Sequence, residues 1–416
     1  MNKINYNITN LICLYIIFLA LIPSNFKIAS INIKGDYLLL LVFIAYFLNL
    51  ILSKEARAKL FKEILNIGKD SILIFMIILS VVMIVSISYA TDKALAISET
   101  LRFISYILLY IIIKLEIKTE TRVNKLIFSY IFTSIIVSVF GIIQYFTRIG
   151  LGEEFIYNTS KYSVAIRITS TLDNSNTLGG FLLLIVFPLI MLGIYEKDKK
   201  KKVIYRIAVF LNLITIILTF SRNAWLGLLL GGFLLVIVYN WRILFIMISA
   251  LGLSMLIPQI RTRAMDFKLI FEDPRVRLWE IALKMIKDHP IKGVGNGNYY
   301  TLYGAYVKKY PELDYNHHTN FPAHNSYLKI QSELGIFGIA SFLGLLISII
   351  YKINKLTYKL KDEHFRLFYT GFFISTIVFY FMNISDNLLF VPKITSCFWI
   401  IVAISEAINY NKICVR

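Results

Sequence analysis

The sequence predicts an all-α polytopic membrane protein of about 12 transmembrane helices with one large extracytoplasmic loop containing amphipathic helices. Three observations predict it. Of 416 residues, 57% are hydrophobic, and the mean hydropathy is +0.69. Apolar runs recur along nearly the whole chain at close to the about 20 residues that a helix needs to cross a ~30 Å hydrocarbon core, unlike the short alternating segments of a β-barrel. Lys and Arg collect in alternate links between those runs. A soluble domain of this length would instead scatter its apolar residues at core periodicity.

Taken in order, the spans read as 8–22, 37–52, 71–89, 95–113, 126–146, 177–195, 203–219, 224–239, 243–257, 328–351, 367–384 and 394–410. No small-residue cleavage site follows the first, which reads as a retained signal anchor. The links 53–69, 114–125, 196–202 and 352–366 are basic, and this span count puts all four on one side. The positive-inside rule makes that side cytoplasmic, together with both termini. Links 23–36, 90–93, 220–223 and 385–393 hold few cations. The formal charge of +19 follows from basic links facing anionic lipid and calls for no nucleic acid. Cys13 and Cys397 lie in spans and Cys414 in the tail, so the outer loops offer no thiol for a disulfide or for zinc. With no internal repeat, and with the basic links read as solvated loops, residues 1–416 form one transmembrane domain of the cytoplasmic (inner) membrane.

Two outward segments break the pattern of short links: 147–176, and the large loop 258–327, which is too long for a bare connection. In the large loop, "EDPRVRLWEIALKMIKDHP" reads as an amphipathic helix. Asp273 suits the N-cap and Pro274 the first helical position; Val276, Trp279, Leu283 and Ile286 recur at helical spacing; His289-Pro290 ends it. That stripe packs on the bundle or lies at the outer bilayer surface. "GVGNGNYY" (293–300) has neither a preceding strand nor a following Lys-Ser/Thr, so it reads as tight turns with Gly and Asn at positive φ and not as a phosphate loop. Tyr299, Tyr300, Tyr303 and Tyr306 are interfacial anchors or sugar-stacking rings.

Charged residues near the outer surface carry the chemistry. Arg222, in "LTFSRNAWLG", stands between two apolar runs, where it snorkels, pairs with a carboxylate or binds an anion. A guanidinium suits bidentate contact with phosphate oxygens. Glu99 and Arg102, three apart in the fourth span, read as a structural pair. His324, in "PAHNSYLKIQSELGIFG", stands where the tenth span begins, as a satisfied surface residue or as a catalyst. No metal-ligand spacing links it to His317 and His318.

The segments "SRNAWLG", "RVRLWEIALKMIKDHPIKGVGNGNY" and "AHNSYLKIQSELGIFG", in that order over about residues 170–340, resemble the O-antigen ligase and O-antigen polymerase family of bacterial cell-envelope glycan enzymes. The resemblance implies an outward-facing, metal-independent inverting glycosyltransferase that needs no cofactor. It moves a glycan from a polyprenyl diphosphate, typically undecaprenyl diphosphate, to an acceptor hydroxyl. His324 matches the family's essential histidine, Arg222 the arginine of its Ser-Arg motif and Arg275 the arginine opening the loop helix. Arg277 departs from the usual polar or acidic residue, so either guanidinium is a candidate for the diphosphate. Asn176, in "LDNSNTLGGF", matches an Asn-rich entry to a span; Asn176 and Asn325 are candidate substrate contacts.

The residue types suit that chemistry. Histidine, which ordinarily titrates near neutrality, takes the proton of an attacking hydroxyl, and arginines stabilise the leaving diphosphate. The first outer loop, 23–36, holds Asp36 as its one acid, which fits a metal-free site. The implied partners are the lipid-linked oligosaccharide donor, a glycan, lipid or protein hydroxyl acceptor, membrane lipid and a chain-length regulator. Polymerisation of surface polysaccharide repeat units is the first expectation; O-antigen ligase and protein O-oligosaccharyltransferase are the alternatives. A flippase or other transporter is the rival from a different class, and the repeats and midplane charges that such a protein would carry are not evident.

Overall fold

The computed structural model describes residues 3–23, 27–28, 31–32, 35–156, 166–265, 275–315 and 317–415. Its helices are α1 (Lys3–Leu21), α2 (Asp36–Leu52), α3 (Lys54–Leu65), α4 (Ser71–Ser86), α5 (Lys93–Glu116), α6 (Glu120–Thr147), α7 (Ser175–Tyr195), α8 (Lys199–Leu218), α9 (Arg222–Val238), α10 (Ile243–Ser254), α11 (Pro258–Met265), α12 (Arg275–Asp288), α13 (Asn298–Lys309), α14 (Ser326–Lys359), α15 (Glu363–Met382) and α16 (Pro392–Tyr410). A two-residue antiparallel hairpin, Lys27–Ile28 with Ile31–Asn32, is the one named strand pair among the described residues. The fold is all-α, as expected.

Every expected span falls on a helix. By length and apolarity, five helices among the described residues are able to cross a membrane, α5, α6, α7, α14 and α15, or six if α2 and α3, bent by 106°, count as one. Asn7–Leu21, Ser71–Ile87 and Arg222–Val238 are apolar but shorter. This is a multi-pass helical membrane protein.

Apolar on every side, α7 takes the centre, with Phe181 and Phe187 fully buried and packed among α8, α9 and α15. Around it α4 packs on α14, α5 on α16, and α1 on α2 and α6. Helix starts are written in short polar residues: Asp92 accepts from Leu95 N, Ser221 from Ala224 N and Asp362 from Phe365 N. The Glu99–Arg102 pair forms at 2.9 Å.

The basic links are not all solvated loops. The link 53–69 folds as α3, α14 runs on through Lys359, and Lys114 and Glu63 are buried. Lys114 Nζ donates to Glu63 and Asp70, Lys352 Nζ donates to Asp70 and Glu406, each at 2.7 Å, and Tyr110 donates to Asp70 at 2.8 Å. His364 meets Glu196 at 3.1 Å and Lys197 meets Glu363 at 2.7 Å. The links thus gather at one end of the bundle, where pairing offsets the desolvation of their charges.

At the other end, the loop helix forms where expected and stops before His289-Pro290; Asp273 and Pro274 lie outside the described residues. Its buried face, however, is Leu278, Ile281, Ala282 and Met285, whereas Val276 and Leu283 are exposed. The helix is apolar on two stripes, and the one facing Tyr299 and Tyr303 wins because those rings supply the larger area to bury. Both rings are interior packing: Tyr299 donates to Leu278 O at 2.8 Å, and Tyr303 Oη accepts from Tyr315 N at 2.9 Å.

The glycine stretch turns as expected, with φ of 69°, 103° and 74° at Gly293, Gly295 and Gly297, while the asparagines keep ordinary φ and bond instead: Asn296 donates to Thr100 Oγ1 at 3.1 Å and Asn298 to Asp92 O at 3.2 Å. Buried Glu333 accepts from Gly297 N at 2.9 Å and Tyr299 N at 3.3 Å, and pairs with Lys329 at 2.6 Å, so α14 caps α13. Gly335 interrupts α14 at φ 63°, ψ −157°, a region that only glycine adopts readily. That break lets Ile336 N reach Pro290 O at 3.1 Å.

Candidate active site

Chain segments from four places meet around His324. The residue does not start a helix, as its sequence position suggested. It sits two residues ahead of α14 in the left-handed region, φ 47°, a conformation costing a non-glycine residue about 1–2 kcal/mol. Asn325 forms the N-cap, its Oδ1 accepting from Tyr327 N and Leu328 N at 3.0 Å, so its oxygen is committed to the helix. Trp279 Nε1 of α12 donates to His324 O at 3.3 Å, and Ser326 N donates to Asn383 O at 2.9 Å. The backbone is held at the carbonyl of the strained residue and two residues beyond it, and the ring lies tilted beside Phe321, centroids 5.5 Å apart.

The side-chain partner is Asp386, in the turn between α15 and α16: His324 Nδ1 lies 3.2 Å from Asp386 Oδ1. Burial pushes the Asp386 carboxyl up, but the hydrogen bond and charge of His324, the Arg275 guanidinium and the Asn387 N–H together outweigh it and hold the group below the ordinary aspartate value. A carboxylate at Nδ1 favours the proton there and leaves Nε2 with its lone pair. Asn176 Nδ2 donates to the other oxygen, Asp386 Oδ2, at 2.8 Å.

Of the two loop arginines, Arg275 joins this cluster, its Nη1 donating to Ser385 O at 2.9 Å. Arg277 does not: it is exposed and donates to Asp314 O at 2.9 Å. Arg222 opens α9 directly after Ser221, whose Oγ donates to Asn176 Oδ1 at 2.7 Å, and Asn223 Nδ2 donates to Met382 O at 3.0 Å. Arg222 Nη1 is shut from solvent and has no hydrogen-bond partner among the described residues. A buried guanidinium donor left in that state is costly unless an anion meets it.

His324, Asn176 and Arg275 are therefore brought together, with Arg222 one residue from the cluster. Sequence reasoning missed Asp386, Ser385 and Ser221. Asp386 is the single acid of the cation-poor link 385–393, a visible signal, but its use depends on a pairing 62 residues away. Among the described residues no three His, Cys, Asp or Glu side chains converge on a metal-sized site.

Known proteins agree with the reading of the motifs. Residues 207–343 match the family model described as O-Antigen ligase. The resemblance to the O-antigen ligase family holds. That matched segment carries Arg222, Arg275, Arg277 and His324, and Asp386 and Asn176 lie outside it. A Rickettsia bellii protein named "Putative polysaccharide ligase" is 27% identical over 243 residues, 54% of this chain and 56% of its own length. One of similar name from Rickettsia conorii is 28% identical over 200 residues, 44% of this chain and 46% of its own. An "O-antigen ligase" of Salmonella typhimurium is 28% identical over 211 residues, 45% of this chain and 51% of its own. The chain spans about half the length of these curated relatives.

Proposed function

We propose that the chain is a metal-independent inverting glycosyltransferase that moves a glycan from undecaprenyl diphosphate, or a like polyprenyl diphosphate, to an acceptor hydroxyl. His324 Nε2 takes the hydroxyl proton as the acceptor oxygen attacks the anomeric carbon from the side opposite the diphosphate. The carbon–oxygen bond to the diphosphate breaks and its electron pair leaves with the phosphate. Arg222 and Arg275 stabilise the growing negative charge, and Asp386 stabilises the imidazolium. The buried Nη1 of Arg222 carries this reading: it is a donor already desolvated that has no hydrogen-bond partner among the described residues.

The His324 end faces outward and the gathered basic links face the cytoplasm with both termini, in an inner-membrane protein, so that the prenyl chain stays in lipid while the sugar meets water. The relatives' names favour a ligase reaction among the acceptor choices; joining repeat units into polysaccharide, with a chain-length regulator, and transfer to protein are the others. Arg222→Ala tests the anion role. Losing one preorganised donor lowers turnover on a lipid-diphosphate-linked glycan by about 10²–10³-fold. Arg222→Lys, a point charge without the planar fork, recovers part of that loss in the same proteoliposome assay. Full activity of Arg222→Ala would remove the arginine from the chemistry.

A further inference from the structure

We propose that Asn176 is a positioning residue: its side-chain amide, locked by Ser221 and Arg167, holds Asp386 in the rotamer that orients His324, and it makes no contact with the sugar. This rests on the reading of His324 as the base. The amide's orientation is chemically determined. Asn176 Oδ1 accepts from Ser221 Oγ at 2.7 Å and from Arg167 Nη2 at 3.2 Å, which uses both of its lone pairs. A flipped amide would set its NH₂ against the guanidinium, donor against donor. The Nδ2 therefore points to Asp386 Oδ2, at 2.8 Å.

The lock is braced from three directions. Arg167 Nε donates to Thr219 O at 3.1 Å, tying the segment before α7 to the turn between α8 and α9. Ser221 belongs to that turn and caps α9 through Ala224 N at 3.3 Å. Asn176 N donates to Asn174 Oδ1 at 2.8 Å, which fixes the start of α7. On the far side, Asp386 Oδ1 accepts from Asn387 N at 2.8 Å and faces His324 Nδ1 at 3.2 Å. Both carboxylate oxygens are thus held, Oδ2 by the side-chain amide of Asn176. Without it the carboxylate turns about its Cα–Cβ and Cβ–Cγ bonds, and the imidazole loses the group that orients it.

The test uses the full chain in proteoliposomes, with polyprenyl-diphosphate-linked glycan extracted from host cells lacking the chain as donor and host membrane extract as acceptor. Asn176→Ala lowers kcat about 10- to 100-fold, with KM for the donor within about twofold. Adding Asn176→Ala to Asp386→Ala costs nothing further, because both act through one carboxylate. Ser221→Ala, which frees the amide without deleting it, lowers kcat about two- to tenfold. A raised KM at unchanged kcat would make Asn176 a sugar contact, and additive losses would uncouple it from Asp386; either overturns the proposal. Wild-type turnover by His324→Ala overturns the base reading, whereas an inactive His324→Ala beside a fully active Asn176→Ala overturns the positioning role alone. Carbethoxylation by diethyl pyrocarbonate, followed by mass spectrometry, reads the same coupling without turnover. In monodisperse Asn176→Ala or Ser221→Ala, His324 labels faster than in the wild type, relative to His289; an unchanged rate in both variants overturns the proposal.

Discussion

His324→Ala lowers glycan transfer by about 10²- to 10⁴-fold, the range that positioned general-base help supplies. The loss falls on kcat and leaves donor affinity nearly intact, since the diphosphate is held by guanidiniums and not by the imidazole. The geometry makes the prediction specific. His324 is kept in a left-handed conformation by bonds to its own carbonyl and to Ser326 two residues on, and its Nδ1 is occupied by Asp386. His324→Gln keeps a polar side chain of similar reach but lacks a basic nitrogen, so it fails equally. Steady-state rates at saturating donor check this; a Gln variant with near-wild-type kcat would reduce the imidazole to a hydrogen-bonding role.

Lys114→Met destabilises the fold by about 3–5 kcal/mol, because it strips a buried cation from two buried carboxylates. Lys114, Glu63 and Asp70 side chains are each no more than 5% exposed. Burial raises the Asp70 carboxyl, but the charges of Lys114 and Lys352 outweigh it and hold the group below its ordinary value. The folded value being the lower one, this contribution is fully present at neutral pH and fades as pH falls through the folded value. Lys114→Met with Glu63→Gln recovers part of the loss. Thermal unfolding in detergent, followed by size-exclusion fluorescence, checks both variants, and neither touches the His324 end of the bundle.

The sequence was most readable where one residue decides locally. Helix positions, the glycine turns at 293–297, the Glu99–Arg102 pair and the stop at His289-Pro290 each follow from propensity or spacing, and each is present. It was least readable where distant segments decide. Lys114 and Lys352 lie in stretches that look like solvated cationic links, and only the acids brought by α3, the start of α4 and α16 bury them. The loop helix has two apolar stripes, and nothing within its own residues says that Tyr299 and Tyr303 will cover Leu278 and Ile281 and not Val276 and Leu283. At the site, motif resemblance found His324, Arg222 and Arg275. The carboxylate completing the histidine, and the amide and hydroxyl behind it, became visible only when the turn 383–387, the start of α7 and the start of α9 were seen to meet.

The most direct measurement is of the bond that is claimed to break. Wild-type chain in sealed proteoliposomes is given polyprenyl-diphosphate-linked glycan, with host membrane extract as acceptor, and free polyprenyl diphosphate and acceptor-linked glycan are quantified together. The account predicts that the two appear in equal amounts and that both fall about 10²- to 10⁴-fold with His324→Ala. Donor that crosses the bilayer intact, with no polyprenyl diphosphate released, would contradict it and make the protein a transporter.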